Sequence, residues 1–193
     1  MAYNPLIHHR RSIRLKGYDY SKSGAYFITI CCEDIIHRFG RVVNHEMILN
    51  PFGVIAYNEW IKLSERFSNF KLDVFQIMPN HFHGIIVLKD IIQAVEETAV
   101  GATLVVALHE EDDKESLIST TARVAPTIAD IVGAYKSIVS NECLKICKAQ
   151  SKSMGKLWQR NYYEHIIRDE GAYENIANYI INNPAKWDED KFY

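Results

Sequence analysis

Two histidines one residue apart carry the first chemical signal, His81 and His83 in Met78-Pro79-Asn80-His81-Phe82-His83-Gly84-Ile85-Ile86-Val87-Leu88. The aliphatic and aromatic run reads as a strand. Period-two alternation then puts both imidazoles on one face, with Phe82 pointing into the core. Cα atoms two residues apart on a strand are about 6.5–7 Å distant, so the two rings can converge on one ion. Neutral imidazole is a common ligand for divalent cations, and an incomplete protein shell leaves open positions for phosphate oxygens. Two histidines at the rim of a sheet, one solvated and one hydrogen-bonded, would give the same short pattern. A third group has to decide between the two.

That group lies in the last amphipathic segment, 172–183. Tyr173, Ile176, Ala177, Ile180 and Ile181 recur at i, i+3, i+4, i+7 and i+8, the stripe of a helix that covers a core. Tyr179 falls roughly 130° from the centre of that stripe, on the polar face with Asn175 and Asn182. A core tyrosine would sit in the stripe, as Tyr173 does, so Tyr179 is displayed. Asn183, four residues on, offers a carbonyl oxygen suited to Mg²⁺ or Mn²⁺. A displayed tyrosine is often only an amphipathic surface residue. Two imidazoles and an amide oxygen beside it would make an incomplete metal shell next to a nucleophile.

The elements that must position these groups are legible in outline. Residues 1–24 read as an extended arm, and the aromatic, β-branched run 26–32 as a strand partnered by 39–43. Asn50 and Pro51 open a helix as cap and first turn, with Phe52, Ile55, Ala56, Leu63 and Phe67 as its apolar stripe. Strands 72–78 and 81–88 follow, broken at Pro79-Asn80. The pattern fades over 90–125, which reads as a flexible acidic insertion. Thr127 caps the next helix, with Asp130 in its first turn and Ile128, Ile131, Val132, Tyr135, Ile138 and Val139 on its buried face. A strand near 162–168 and the helix ending at Pro184 complete the order. Adjacent strands joined to helices imply one α+β domain over 1–193, a ferredoxin-like sandwich with a mainly antiparallel sheet and helices on one face.

Composition narrows the function classes. With 193 residues, 48% hydrophobic and 24% charged, the chain has the balance of a soluble globular protein. No stretch approaches the roughly 20 apolar residues of a membrane span, and the basic start lacks the apolar run of a secretion signal, so a cytoplasmic location is expected. Cys31, Cys32, Cys143 and Cys147 lack zinc-knuckle spacing and read as reduced, mostly buried thiols. The formal net charge of -2 looks wrong for a nucleic-acid binder. Residues 96–115, however, hold seven acids and one base, and without them 21 bases stand against 17 acids. Charge alone leaves nucleic-acid binding undecided.

With these residues in place, the chain resembles the single-tyrosine HUH transposases, most closely the REP-associated tyrosine transposases. The matching segments include Arg11-Ser12-Ile13-Arg14-Leu15-Lys16-Gly17-Tyr18-Asp19-Tyr20, Gly24-Ala25-Tyr26-Phe27-Ile28-Thr29 and Met78-Pro79-Asn80-His81-Phe82-His83. Further on come Ile131-Val132-Gly133-Ala134-Tyr135-Lys136-Ser137, the stretch from Leu157-Trp158-Gln159-Arg160 to Arg168, and Tyr179-Ile180-Ile181-Asn182-Asn183-Pro184. They cover most of the chain outside 90–125, and their order is more specific than any one of them. The resemblance implies that His81 and His83 bind Mg²⁺ or Mn²⁺, that Asn183 is a third ligand, and that Tyr179 is the nucleophile. It implies cleavage and rejoining of single-stranded DNA through a 5′-phosphotyrosine, on a substrate with a hairpin. Arg10, Arg11, Arg14 and Lys136 are then candidate phosphate contacts, and Tyr18, Tyr20 and Trp158 either stack on unpaired bases or pack against protein. Tyr162, Tyr163 and His165 read as packing residues on a strand. A homodimer is compatible with this reading. Two other classes stay open: a domesticated hairpin-binding protein with little or no cleavage, and a metal-dependent phosphodiesterase that uses water as nucleophile.

Overall fold

A computed structural model describes residues 22–89 and 126–192. Four strands build the main sheet: β1 (Gly24–Cys31), β4 (Phe70–Ile77), β5 (His81–Leu88) and β6 (Tyr163–Ile167), in the order β4-β5-β1-β6. Every neighbouring pair is antiparallel. Helix α1 (Pro51–Ile61) and the single turn α2 (Leu63–Arg66) lie between β1 and β4 in the chain. Helix α3 (Ile128–Ala149) lies between β5 and β6, and α4 (Glu170–Asn182) follows β6. Among the described residues, the order over the main sheet is therefore β-α-β-β-α-β, closed by a last helix.

Local chemistry sets the starts of α1 and α3 as the sequence suggests, and starts α4 at Glu170, ahead of the expected 172. Asn50 Oδ1 accepts from the N–H groups of Phe52 and Gly53, with Pro51 at the first position of α1. Thr127 and Asp130 form a reciprocal capping box at the head of α3. Asp169 caps α4 by accepting from Ala172 N–H.

Two expectations need correction. Residues 39–43 do not pair with the first strand. Gly40–Val43 (β2) instead forms a separate hairpin with Glu46–Leu49 (β3). Its two turn residues, Asn44 and His45, both have positive φ, the requirement of a turn that matches strand twist. The helices, moreover, occupy both faces of the sheet. Tyr26, Ile28, Ile30, Phe82 and Ile86 face α1 and α3, where Trp60 and Tyr135 fill the main core. The alternate residues Phe27, Ile85 and Val87 face α4, which adds Ala177 and Ile180 to a smaller second core. The α+β sandwich with a mainly antiparallel sheet holds, with its last helix on the face opposite the other two.

All four cysteines are buried and unpaired thiols. Burial pushes Cys31 up to about 11 and Cys143 up to about 12, so both are inert at neutral pH. Among the described residues no helix is long and apolar enough to cross a membrane. Arg10, Arg11, Arg14, Tyr18, Tyr20 and the acidic stretch 90–125 lie outside the described residues.

Candidate metal and tyrosine centre

Pro79 and Asn80 reverse the chain so that β5 starts at His81, opposite Cys31 of β1, with His83 opposite Thr29. Alternation puts both imidazoles on the α4 face, ring centroids 4.3 Å apart, and both are buried. Each ring is fixed through its Nδ1. Thr29 Oγ1 lies 2.8 Å from His83 Nδ1, and Asn80 Oδ1 lies 2.8 Å from His81 Nδ1. The Asn80 amide nitrogen donates to the carbonyls of Phe192 (2.6 Å) and Ile35 (3.2 Å), so its oxygen must be the atom facing His81. His81 Nδ1 therefore carries the proton and Nε2 presents a bare lone pair. That Nε2 is buried and has no hydrogen-bond partner among the described residues.

Burial keeps both rings neutral. It lowers His81 to about 4, against a smaller upward pull from Asp190. It also lowers His83 well below its ordinary value, helped by the neighbouring His81 and Lys191. Neutral imidazole is the ligating form.

Helix α4 delivers the tyrosine. Ala177 and Ile180 dock on Ile85 and Ile167, and Tyr173 O–H donates to Asp73 Oδ1 at 2.6 Å, where the β4 register is irregular. Tyr179, 41% exposed, faces the histidines, as expected of a displayed residue. Its hydroxyl lies 3.2 Å from His83 Nε2 and donates to Asp190 Oδ2 at 3.1 Å. Phe27 supports the ring edge-on at 6.2 Å. Burial first, and the Asp190 charge second, push the phenol pKa well above its ordinary value. Ile181, assigned to the apolar stripe, is 60% exposed, because the second core ends at Ile180.

The structure brings His81, His83, Tyr179 and Asn183 together. Asn183 is buried, its Nδ2 donates to Asp190 Oδ2 at 2.7 Å, and its Oδ1 has no partner among the described residues. Sequence reasoning missed Asp190. Ligand atoms of His81, His83 and Asp190 all lie within 4.8 Å of one another. An orphaned imidazole nitrogen, a second neutral imidazole and a carboxylate fit a divalent ion that keeps open positions.

Lys136 is not part of this cluster. Its Nζ donates to the carbonyls of Gln159 (2.7 Å) and Arg160 (3.1 Å), and it lines another cleft. Trp158 is buried against Phe39 and Tyr135 and donates to the Lys136 carbonyl, so it packs and does not stack on bases. Tyr162 packs on the main core, but Tyr163 is exposed beside Phe192, and His165 is exposed as well. The cleft beside Tyr179, about 490 Å³, is lined in part by Lys186 and Lys191, two cations the sequence reading passed over.

No protein-family model matches the chain. An uncharacterized protein of Haemophilus influenzae is 40% identical over 191 residues, 99% of this chain and 97% of that protein. A second protein of the same organism, provisionally named a REP-associated tyrosine transposase, is 24% identical over 177 residues, 87% of this chain and 74% of its own length. Among solved structures, a REP-associated tyrosine transposase bound to a REP hairpin superposes with a TM-score of 0.52 at 18% identity. That match covers 92% of this chain and 76% of the solved one. The chain therefore shares the fold of a solved REP-associated tyrosine transposase and is distantly similar in sequence to a protein provisionally given that name.

Proposed function

We propose that the chain is a metal-dependent endonuclease and transposase of single-stranded DNA that cuts and rejoins strands through Tyr179. The observation that carries this reading is the placement of the Tyr179 hydroxyl 3.2 Å from His83 Nε2, beside the unpartnered Nε2 of His81. His81, His83 and a side-chain oxygen from Asn183 or Asp190 would hold a Mg²⁺ or Mn²⁺ ion, which when bound would supply Lewis-acid chemistry at the scissile phosphate. Tyr179 attacks in line. Its oxygen–phosphorus bond forms as the bond to the 3′ oxygen breaks, the phenol gives up its proton, and the departing 3′ oxygen gains one. The product is a 5′-phosphotyrosine and a free 3′-OH. One phosphate ester replaces another, so rejoining needs no ATP.

The half-exposed ring of Tyr179 at the edge of an open cleft suits a strand that must come and go. Hairpin DNA is the proposed partner, supported by the REP hairpin bound to the solved relative. Arg10, Arg11, Arg14 and Lys136 remain candidate phosphate contacts, Lys136 the weakest because its ammonium already serves two carbonyls.

The experiment is incubation with labelled single-stranded hairpin oligonucleotides and Mn²⁺, followed by denaturing electrophoresis and peptide mapping. A covalent adduct on Tyr179, absent in Tyr179→Phe, is the expected result. Cutting that survives Tyr179→Phe would overturn the mechanism in favour of a water nucleophile. Salt-sensitive binding with no adduct at any divalent ion would leave a hairpin binder.

A further inference from the structure

The spacing of Asn183 from Tyr179 makes it the natural third ligand, yet the hydrogen bonds around it favour another residue. Asp190 lies seven positions further on, past the 3-10 turn Pro184–Glu189, which folds the chain back over the histidine face. The segment is fastened on both sides of Asp190. Trp187 is buried and its ring lies 6.0 Å from that of His81, and the Phe192 carbonyl accepts from Asn80. We infer that Asp190 is a protein ligand of the divalent ion, and that Asn183 is the positioning residue that orients its carboxylate. This inference rests on the metal-dependent reading above.

Three observations carry it. The Asp190 carboxylate lies within 4.8 Å of ligating nitrogens on both histidines. It is also held in one orientation by three donors: Phe192 N–H to Oδ1 at 2.7 Å, and Asn183 Nδ2 and Tyr179 O–H to Oδ2 at 2.7 and 3.1 Å. A ligating carboxylate is ordinarily fixed by hydrogen bonds of this kind. Finally, the Asn183 amide nitrogen is committed to Asp190, although its oxygen has no partner among the described residues. Turning it over would set two oxygen acceptors 2.7 Å apart, so nitrogen faces Asp190 and the amide oxygen is directed away from that carboxylate.

Charge points the same way. Two neutral imidazoles and one amide would leave a dication uncompensated in a largely buried site, whereas Asp190 brings a full negative charge and a hard oxygen. Two histidines and one carboxylate would leave a bound divalent ion open positions for phosphate oxygens. Ligation of Asp190 would also relieve Tyr179 of the unbalanced carboxylate beside its hydroxyl.

The test is a Mn²⁺ titration of the full-length protein without DNA, followed by the electron paramagnetic resonance signal of free Mn²⁺. Variants are His81→Ala, Asp190→Ala, Asp190→Asn and Asn183→Ala, each checked for folding by circular dichroism. Asp190→Ala and the isosteric Asp190→Asn should both weaken binding on the order of 100-fold, and Asn183→Ala about tenfold, as for an outer partner of a ligand. With Co²⁺ in place of Mn²⁺, Asn183→Ala should keep the wild-type visible spectrum, and Asp190→Ala should change it. Asp190→Asn binding Mn²⁺ within twofold of wild type, while His81→Ala does not bind, would overturn the inference and leave the metal reading standing. A larger loss in Asn183→Ala than in Asp190→Ala would reverse the two roles. Unchanged binding in His81→Ala would overturn the metal reading, and this inference with it.

Discussion

His81 and His83 are buried as neutral rings, and that has a consequence measurable without any substrate. In the unfolded chain both take up protons near pH 6.5, whereas the folded His81 does so only near about 4, because burial disfavours its charged form. The stability tied to this depressed value is complete above pH 6.5 and is lost as the pH falls towards 4, where protonation of the folded site ends the loss. Chelator-treated protein followed by urea melts should lose roughly 2–3 kcal/mol from His81 over that window. His81→Gln should flatten the profile, and a flat wild-type profile would contradict buried neutral histidines. At this scale the sequence showed what periodicity can show. Strand alternation placed both rings on one face, and helical phase turned Tyr179 away from the stripe. Asp190, Thr29 and Asn80 escaped for different reasons. Asp190 is delivered by a 3-10 turn with no period to read. Thr29 meets His83 only through strand register. Asn80 acts through an amide orientation set by two distant carbonyls.

The strand that carries the histidines is positioned by a glycine between them and the rest of β5. A Cβ at Gly84 would lie 2.6 Å from Phe82 Cζ, 2.8 Å from Phe82 Cε1 and 3.3 Å from Phe75 Cβ. Phe82 has no room to yield, since its ring centroid is 4.3 Å from Trp60 and 5.4 Å from Tyr135. Gly84→Ala should therefore destabilise the protein by about 1–3 kcal/mol, the usual cost of overpacking. Mn²⁺ affinity should fall as well, because His83 is the adjacent residue. Thermal melts and the same titration measure both, and an alanine variant as stable as wild type would show that Phe82 can repack. Existence and type of the long elements were readable from caps and stripes, down to Asn50, Thr127 and Asp130. Pairing was not. Residues 39–43 have strand composition, but choosing between β1 and the next segment depends on the Asn44-His45 turn, which closes a local hairpin before any long-range partner is reached.

Across the molecule, the two faces of the sheet divide the work. The α1 and α3 face holds the large aromatic core, and the α4 face holds a small core, the histidines and the tyrosine. The sequence could not assign faces to helices, because an amphipathic stripe states that a face is covered and not which one. This division bears on DNA binding. Among the described residues, the cations lining the cleft beside Tyr179 are Lys186 and Lys191, both exposed, whereas Lys136 sits in another cleft with its ammonium on the Gln159 and Arg160 carbonyls. Each phosphate neutralised by a protein cation contributes about 0.7 to the slope of log affinity against log salt for a single strand. For a single-stranded target reaching Tyr179, Lys186→Ala and Lys191→Ala should each lower that slope by about 0.7, and Lys136→Ala should leave it nearly unchanged. Fluorescence anisotropy over a range of salt concentrations reads the slope directly. If Lys136→Ala alone flattened it, the DNA would be held at the other cleft, and the strand would have to reach Tyr179 by a path around the edge of the sheet.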